Sequence, residues 1–412
     1  MPSFVLMREY ILRRILLIPL TFVGITFIAF LMTRLVPGGP IERAMAEKLQ
    51  AKQKFTLQPS SSGPASPEEL DNLKRQYGFD RPLWEAYAIW LGVYPGPSSW
   101  AVARVNDLQP ISVEVKSSQK SILLSLQPKP EGKWEIRDSQ KRLLDDWVIE
   151  DAPLPQDPNP ARRICVYQPQ LNGIIQGNFG TSTQSDKSVL SIIAEKIPLS
   201  AWFGFWGMTL AYLIAVPLGI YKAKHHNQWS DTFSSSLLFF GFAIPGFILA
   251  LASLYLLCFK IPLFPHSGFN WDEPIRSTIL PLVCQTVGAF ASMTLFMKNS
   301  LMDQLQSDYM RTAKAKGVSE TRRLYVHALR NSLIPLAANF GQNIGFFLTG
   351  SFLIEYTFDI DGIGLLSYDA LVQRDFPVFL GLLTLSSLVL LIGNILSDLC
   401  VAAIDPRIRF EK

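Results

Sequence analysis

Six apolar blocks, each long enough to cross a bilayer, dominate this chain of 412 residues. They lie at 13–35, 199–220, 232–259, 277–297, 333–355 and 377–404. About 20 helical residues cover the hydrocarbon core, and in lipid only a helix or a closed barrel pairs every backbone group. Each block is therefore expected to be a transmembrane helix, which makes the chain an all-α polytopic membrane protein in its core. Pro19, Pro217, Pro245 and Pro281 fall inside blocks, and neighbouring helices can re-satisfy the carbonyls they free. "AIPG" at 243–246 predicts a kink in the third span. Charged residues form 17% of the chain, below the roughly one quarter usual in soluble domains.

The distribution of positive charge sets an orientation. Arg8, Arg13 and Arg14 precede the first span, Lys222 and Lys224 follow the second, and Arg407, Arg409 and Lys412 close the chain. The loop after span four carries Lys298, Arg311, Lys314, Lys316, Arg322, Arg323 and Arg330. With six spans these segments share one side, placing both termini in the cytoplasm. Asp359, Asp361, Asp369 and Asp375 then face the other side, with Arg374 among them. The first block runs into "RLVPGGP", with no small-residue cleavage site, and reads as an uncleaved span instead of a signal peptide.

The expected organisation is an N-terminus and first span over 1–36, an extracytoplasmic region over 37–198, a core of spans two to six over 199–404 and a cytoplasmic tail over 405–412. Within the outer region, "QAKQKFTLQPSSSGPAS" at 50–66 resembles a linker. "PEELDNLKRQYGFDRPLWEAYAIWL" at 67–91 predicts two helices around a turn. Residues 93–170 are proline-rich, with short runs such as "ISVEV", "SILLSL" and "KWEIRD", and predict an inserted β-rich domain.

Catalytic and cofactor signatures are missing. No phosphate-cradling GxxxxGK[ST] loop, GxSxG elbow or HExxH motif occurs. The four histidines include the adjacent pair His225–His226, which reads as a solvated basic end. "DIDG" at 359–362 has the start of a calcium loop without its later ligands. The net charge of +4 comes with no aromatic–basic stripe, so nucleic acid is not an expected partner. Cys165, Cys258, Cys284 and Cys400 have no CxxC spacing and imply no disulfide framework. Glu355 and Asp398 sit near span ends, where capping or snorkelling accounts for them. No ionisable group stands out at mid-membrane, so energy for any transport would have to come from elsewhere.

"MRTAKAKGVSETRRLYVHALRNSLIP" at 310–335 is a basic, helix-prone stretch within the loop 298–332. Gly317 permits a sharp turn between two short helices, Ser319 can cap the second, and Ala313 and Ala315 offer a smooth face. Such an element suits docking, although a solvated positive-inside loop has the same charge.

The stretch resembles the EAA loop of binding-protein-dependent ABC importer permeases. The EAA positions hold Arg311-Thr312-Ala313, the glycine is Gly317, and the I-x-L-P positions hold His327-Ala328-Leu329-Arg330. Ala313, Gly317 and Leu329 match the strict pattern. The departures are those of the dipeptide/oligopeptide branch, with "RTAxAKG" and "HxLRNxLIP". Along the chain "RRILLIPLTFVGITFIAFLMTRLVPGGP", "YGFDRPLWEAYAIWL", "GNFGTS", "AIPGF", "TGSFLIEYTF", "GIGLLSYDAL" and "DPRIRFE" follow the branch in order. "GGPIERAMAE" and "MTLFMKNSLMDQL" resemble the B-type permease of Yej-type oligopeptide and microcin C importers. The insert of about 75 residues departs from the usual pattern.

The resemblance implies the type I importer permease fold and a bacterial inner-membrane location. It also implies three kinds of protein partner: a second homologous permease forming a heterodimer, two cytoplasmic ABC ATPases and an extracytoplasmic solute-binding protein. ATP and Mg would bind the ATPases, leaving this chain without a cofactor or catalytic residue. ATPase coupling would fall to Arg311, Thr312, Ala313, Ala315, Gly317, His327, Leu329, Arg330 and Asn331. Asn339, Gln342, Asn343 and Thr349 form a polar stripe in span five, where a peptide path and helix–helix hydrogen bonding remain equal alternatives. A non-transporting scaffold or sensor, with the insert as its receiving domain, is the alternative from another class; a secondary carrier is a third.

Overall fold

The computed structural model describes residues 2–35, 67–76, 78–105, 110–116, 121–128, 134–138, 142–144, 146–153, 162–185, 187–266, 268–348 and 351–404. The expected linker at 50–66, Thr349 and the tail 405–412 lie outside them. The chain divides into two compact units, Met1–Thr26 with Thr183–Lys412, and Phe27–Ser182. Helix α1 (Pro2–Leu35) runs from the first into the second.

In the Phe27–Ser182 unit, α2 (Pro67–Gln76) and α3 (Leu83–Leu91) precede a sheet of six strands. These are β1 (Gly96–Val105), β2 (Ile111–Lys116), β3 (Ser121–Pro128), β4 (Trp134–Asp138), β5 (Val148–Asp151) and β6 (Arg162–Gln170). Among the described residues the strands pair antiparallel, in the order β4-β3-β2-β1-β6-β5. Period-two alternation explains the sheet's two buried faces. Val113, Val115, Leu124, Leu126, Ile164 and Val166 face one side, where Leu144 and Trp147 pack on them. Cys165 and Tyr167 face the other, with Trp100 and Val102. Burial pushes the Cys165 thiol up to about 11. Burial and the bond from Tyr167 Oη to Glu150 Oε1, at 2.6 Å, push that phenol up to about 12. The aromatic residues of α3 pack on the end of α1, with Tyr87 edge-on to Phe27 at 5.1 Å between centroids.

The other unit is helical. Helix α4 (Val189–Lys224) begins ten residues before the apolar block does, because Ser188 accepts a capping bond from the Ser191 amide at 3.1 Å. Ala211 and Ala215 of α4, one turn apart, pack with Met293 of α7 (Pro274–Gln306). Between them lie α5 (Trp229–Ala243) and α6 (Gly246–Ser253, continued by π turns over Leu254–Lys260). The chain bends there by 91°, a right-angle break instead of the expected kink. Pro245 lacks an amide proton and drives Ile244 into the extended region, at φ −86° and ψ 118°.

After α7 come α8 (Asp308–Ala315) and a helical run over 320–332. The expected span at 333–355 is interrupted: Ile334–Ala338, then α9 (Phe340–Leu348) and α10 (Phe352–Phe358). Asn339 leaves the helical ψ, at −1°, and Ser351 is extended, so the run is segmented before and after α9. Helices α11 (Ile363–Val372) and α12 (Phe376–Ile404) complete the unit. Among the described residues four helices are long and apolar enough to cross a membrane, or five with the bent pair taken as one span. Helices α9 and α12 touch backbone to backbone, since a Cβ on Gly341 would overlap the Gly393 carbonyl. Small residues at such crossings are how helices approach closely in lipid.

Candidate functional site

The basic loop starts later than its charge suggests, because α7 continues to Gln306 and takes Lys298 into its last turns. Ser307 is extended and breaks the helix, and α8 follows at once. Met310 of α8 then packs with Leu324 and Ala328 against Ala223, Met297 and Leu301 at the ends of α4 and α7. This apolar anchor fixes two short helical pieces that could not persist alone.

Between them the chain reverses at Gly317, whose φ of +75° lies in the region that L side chains avoid. The Gly317 amide bonds Lys314 O at 3.0 Å and the Val318 amide bonds Ala313 O at 3.1 Å, closing the turn. A Cβ at Gly317 would meet nothing within 4 Å. Backbone conformation therefore demands the glycine, and the space outside it is open. Ser319 stands at the next N-cap position but makes no side-chain cap bond, contrary to expectation. The backbone does the work, with the Arg323 amide donating to Ser319 O at 2.9 Å.

The nine candidate coupling residues separate into two sets. Arg311, Thr312, Ala315, Gly317 and His327 are exposed, and Ala313 is half-buried beside them. The others fasten the loop to its own chain. Arg330 Nε donates to Ile404 O at 2.6 Å, at the end of α12. Asn331 Nδ2 donates to Tyr309 Oη at 3.3 Å, and that hydroxyl donates to Gln304 Oε1 at 2.8 Å. Leu329 packs on the apolar anchor.

A charged cluster beneath this loop is hidden in the sequence. Lys222, Asp231 and Lys298 come from the end of α4, the start of α5 and the end of α7, and all three are buried. Lys298 Nζ donates to both Asp231 carboxylate oxygens, at 2.8 and 2.7 Å. Lys222 Nζ lies 3.0 Å from Asp231 Oδ1 and donates to Ser234 Oγ and Ser235 Oγ at 2.8 and 2.7 Å. Positive-inside counting treats both lysines as solvated. The available signal was Asp231, an acid in the first turn of an otherwise uncharged helix.

The polar stripe divides as well. Asn343 Nδ2 donates to Tyr212 Oη of α4 at 3.1 Å, a helix–helix bond. Asn339 is exposed and bonds Pro335 O one turn back, and Gln342 is exposed. Glu355 is a cap: its carboxylate accepts from the Leu365 amide at 2.7 Å while Ser200 Oγ accepts from the Ile363 amide at 2.8 Å, both at the N-terminus of α11. Asp398 pairs with Arg14 at 3.0 Å.

Residues 215–410, which include this loop and cluster, match the family of binding-protein-dependent transport system inner membrane components. The peptidoglycan transport system permease protein YejB of Agrobacterium fabrum is 31% identical, over 98% of this chain and 99% of its own. The chain belongs to that family. The inner membrane ABC transporter permease protein YejB of Escherichia coli O157:H7 is also 31% identical, over 98% of this chain and its own full length. The dipeptide transport system permease protein DppB of Lactococcus lactis is 26% identical over the same share of this chain and its full length. As an ABC transporter permease, the chain is a multi-pass inner-membrane transport subunit, and ATP is hydrolysed by a separate ATPase subunit.

Proposed function

We propose that this permease forms half of the translocation path of an ATP-driven importer for oligopeptides or peptide-like solutes. The loop 310–335 is its coupling element to the ATPase. The observation carrying this reading is the open turn at Gly317, with nothing within 4 Å of a Cβ there, mounted on the buried anchor of Met310, Leu324 and Ala328. Its outward residues Thr312, Ala315 and Gly317 offer a smooth surface, while Arg330 and Asn331 stiffen it from behind. The peptide assignment is supported by the similarity to a dipeptide transport system permease.

The assembly in this reading is a heterodimer with a second homologous permease, two ATPases that hold ATP and Mg, and an extracytoplasmic solute-binding protein. Six spans, with the segmented 333–355 run as the fifth, put both termini in the cytoplasm and 37–198 outside. The Arg14–Asp398 pair supports this, since it joins the start of the first apolar block to the last turns of α12. Asn339 and Gln342 line the path.

The test is Gly317→Trp in the assembled transporter. A bulky residue strains the turn and intrudes on the docking surface. Peptide uptake is expected to fall to background with the complex intact; normal uptake sinks the reading.

A further inference from the structure

Helix α5 packs on α7 and keeps few of its own residues buried within this chain. Of its fifteen residues only Asp231 and Leu238 are buried, while Phe233, Leu237, Phe239, Phe240 and Phe242 are exposed. It contributes nothing to the apolar anchor of the loop. Its far end is free of the backbone ladder at the Pro245 break. The charged tie at its near end is one carboxylate shared by two ammonium groups.

Those ammonium groups sit where the loop docks. Lys222 adjoins Ala223 and Lys298 adjoins Met297, and both neighbours belong to the anchor that receives Met310 and Leu324. A displacement of the loop therefore moves both donors. Lys222 is fully buried, and its remaining bonds go to α5 itself: Asp231 O at 3.0 Å and the Ser234 and Ser235 hydroxyls. The carboxylate also lies in the first turn of α5, where the helix dipole favours a negative charge. His226 Nδ1 approaches it at 3.4 Å from the α4–α5 turn. Lysine ammonium groups are rotatable point charges on flexible stems, so they hold a partner while its angle changes.

We propose that Asp231, held between Lys222 and Lys298, is the ionic pivot through which displacement of the coupling loop is passed to α5. Asp231 is a positioning residue, and the inference rests on the coupling reading of the loop 310–335. Removing its charge leaves two buried ammonium groups without their anion and breaks the ionic link from Lys298 to α5, while the neutral bonds from Lys222 to α5 and the anchor remain.

The experiment uses the whole transporter in proteoliposomes and reads peptide imported per ATP hydrolysed, alongside the ATP-dependent change in a spin-label distance between α5 and α7. Asp231→Asn is expected to lower the import-per-ATP ratio about tenfold, within the range of ordinary coupling energies, and to abolish the distance change. Asp231→Glu is expected to restore both. A ratio within twofold of the unsubstituted transporter in Asp231→Asn overturns the pivot. If Asp231→Asn fails to assemble, Lys298→Gln, which leaves a one-to-one pair with Lys222, replaces it and is expected to lower the ratio about threefold. An unchanged ratio there, or failure of both variants to assemble, overturns the proposal, because the cluster is then only a structural clamp. Gly317→Trp run beside them separates the two readings: uncoupling by Gly317→Trp with normal Asp231→Asn rejects the pivot alone, and normal uptake in Gly317→Trp rejects the loop.

Discussion

In each unit of this permease one aspartate is held between two bases, half-buried at Asp71 and buried at Asp231, and the two clusters are built from different cations. In the sheet-containing unit Asp71 of α2 accepts from Arg75 Nε at 3.0 Å and Arg163 at 2.8 Å, and Arg163 also bonds Asn72 at 2.9 Å. In the helical unit Asp231 is held by two lysines. An arginine fork is planar and makes several directed bonds at once, so it sets one geometry. A lysine holds by charge and tolerates rotation. The first cluster locks a helix onto strand β6; the second leaves α5 able to turn. The same stoichiometry thus gives a fixed joint in one unit and a movable one in the other.

The comparison can be broken most severely at the helix crossing that has no ionic component. Gly341→Leu places a side chain on the Gly393 carbonyl, and α9 and α12 must separate. The transporter is expected to lose assembly on size-exclusion chromatography, whereas Gly345→Leu, which faces only Leu390 at van der Waals distance, is expected to assemble. Next in size, Arg163→Ala removes a buried fork from Asp71 and leaves Asn72 unpaired. About 3 kcal/mol of protection is expected to disappear from strand β6 in hydrogen exchange on the full chain, with import per ATP unchanged. A fall in that ratio would contradict the fixed-joint role. Arg163→Lys sharpens the contrast. It keeps the charge at Asp71 and loses the second bond, for an expected cost of about 1 kcal/mol.

A separate effect concerns Cys165 of β6, two residues from Arg163. Its thiol is pushed up to about 11 by burial. Raising a thiol's pKa lowers its thiolate fraction at any pH below that value. At pH 8 alkylation of Cys165, read in a variant lacking the other cysteines, is expected to be about a hundredfold slower in the native protein than after unfolding. Equal rates would show that the sheet's second face is open.

Much of the helical unit was legible because span length and proline position act locally. The apolar runs of α4, α7 and α12 and the turn at Gly317 need no tertiary information. The 91° break went unrecognised in size because Pro245 says where a helix stops, while the angle depends on what α6 packs against. Residues 298–306 read as loop since charge near a span end is ambiguous between solvent and an ion pair. Lys298 is resolved only by Asp231, sixty-seven positions earlier in the chain. Asn343 and Arg330 carry the same lesson. Their residue types are polar in any reading, and only the fold shows that one meets Tyr212 and the other the end of α12. Ser319 sits in a capping position, yet its side chain makes no cap bond; the α segment it opens is only Glu320–Arg322 before the π turns begin.

The central claim is that the outward face of the loop meets the ATPase while its inward face meets its own chain. A photoreactive probe placed in turn on Ala315→Cys and Asn331→Cys, in membranes containing the whole transporter, tests it directly. The account predicts that the probe at 315 captures the ATPase subunit and that the probe at 331 captures only this chain. No ATPase adduct from 315, or equal capture from both positions, would contradict it.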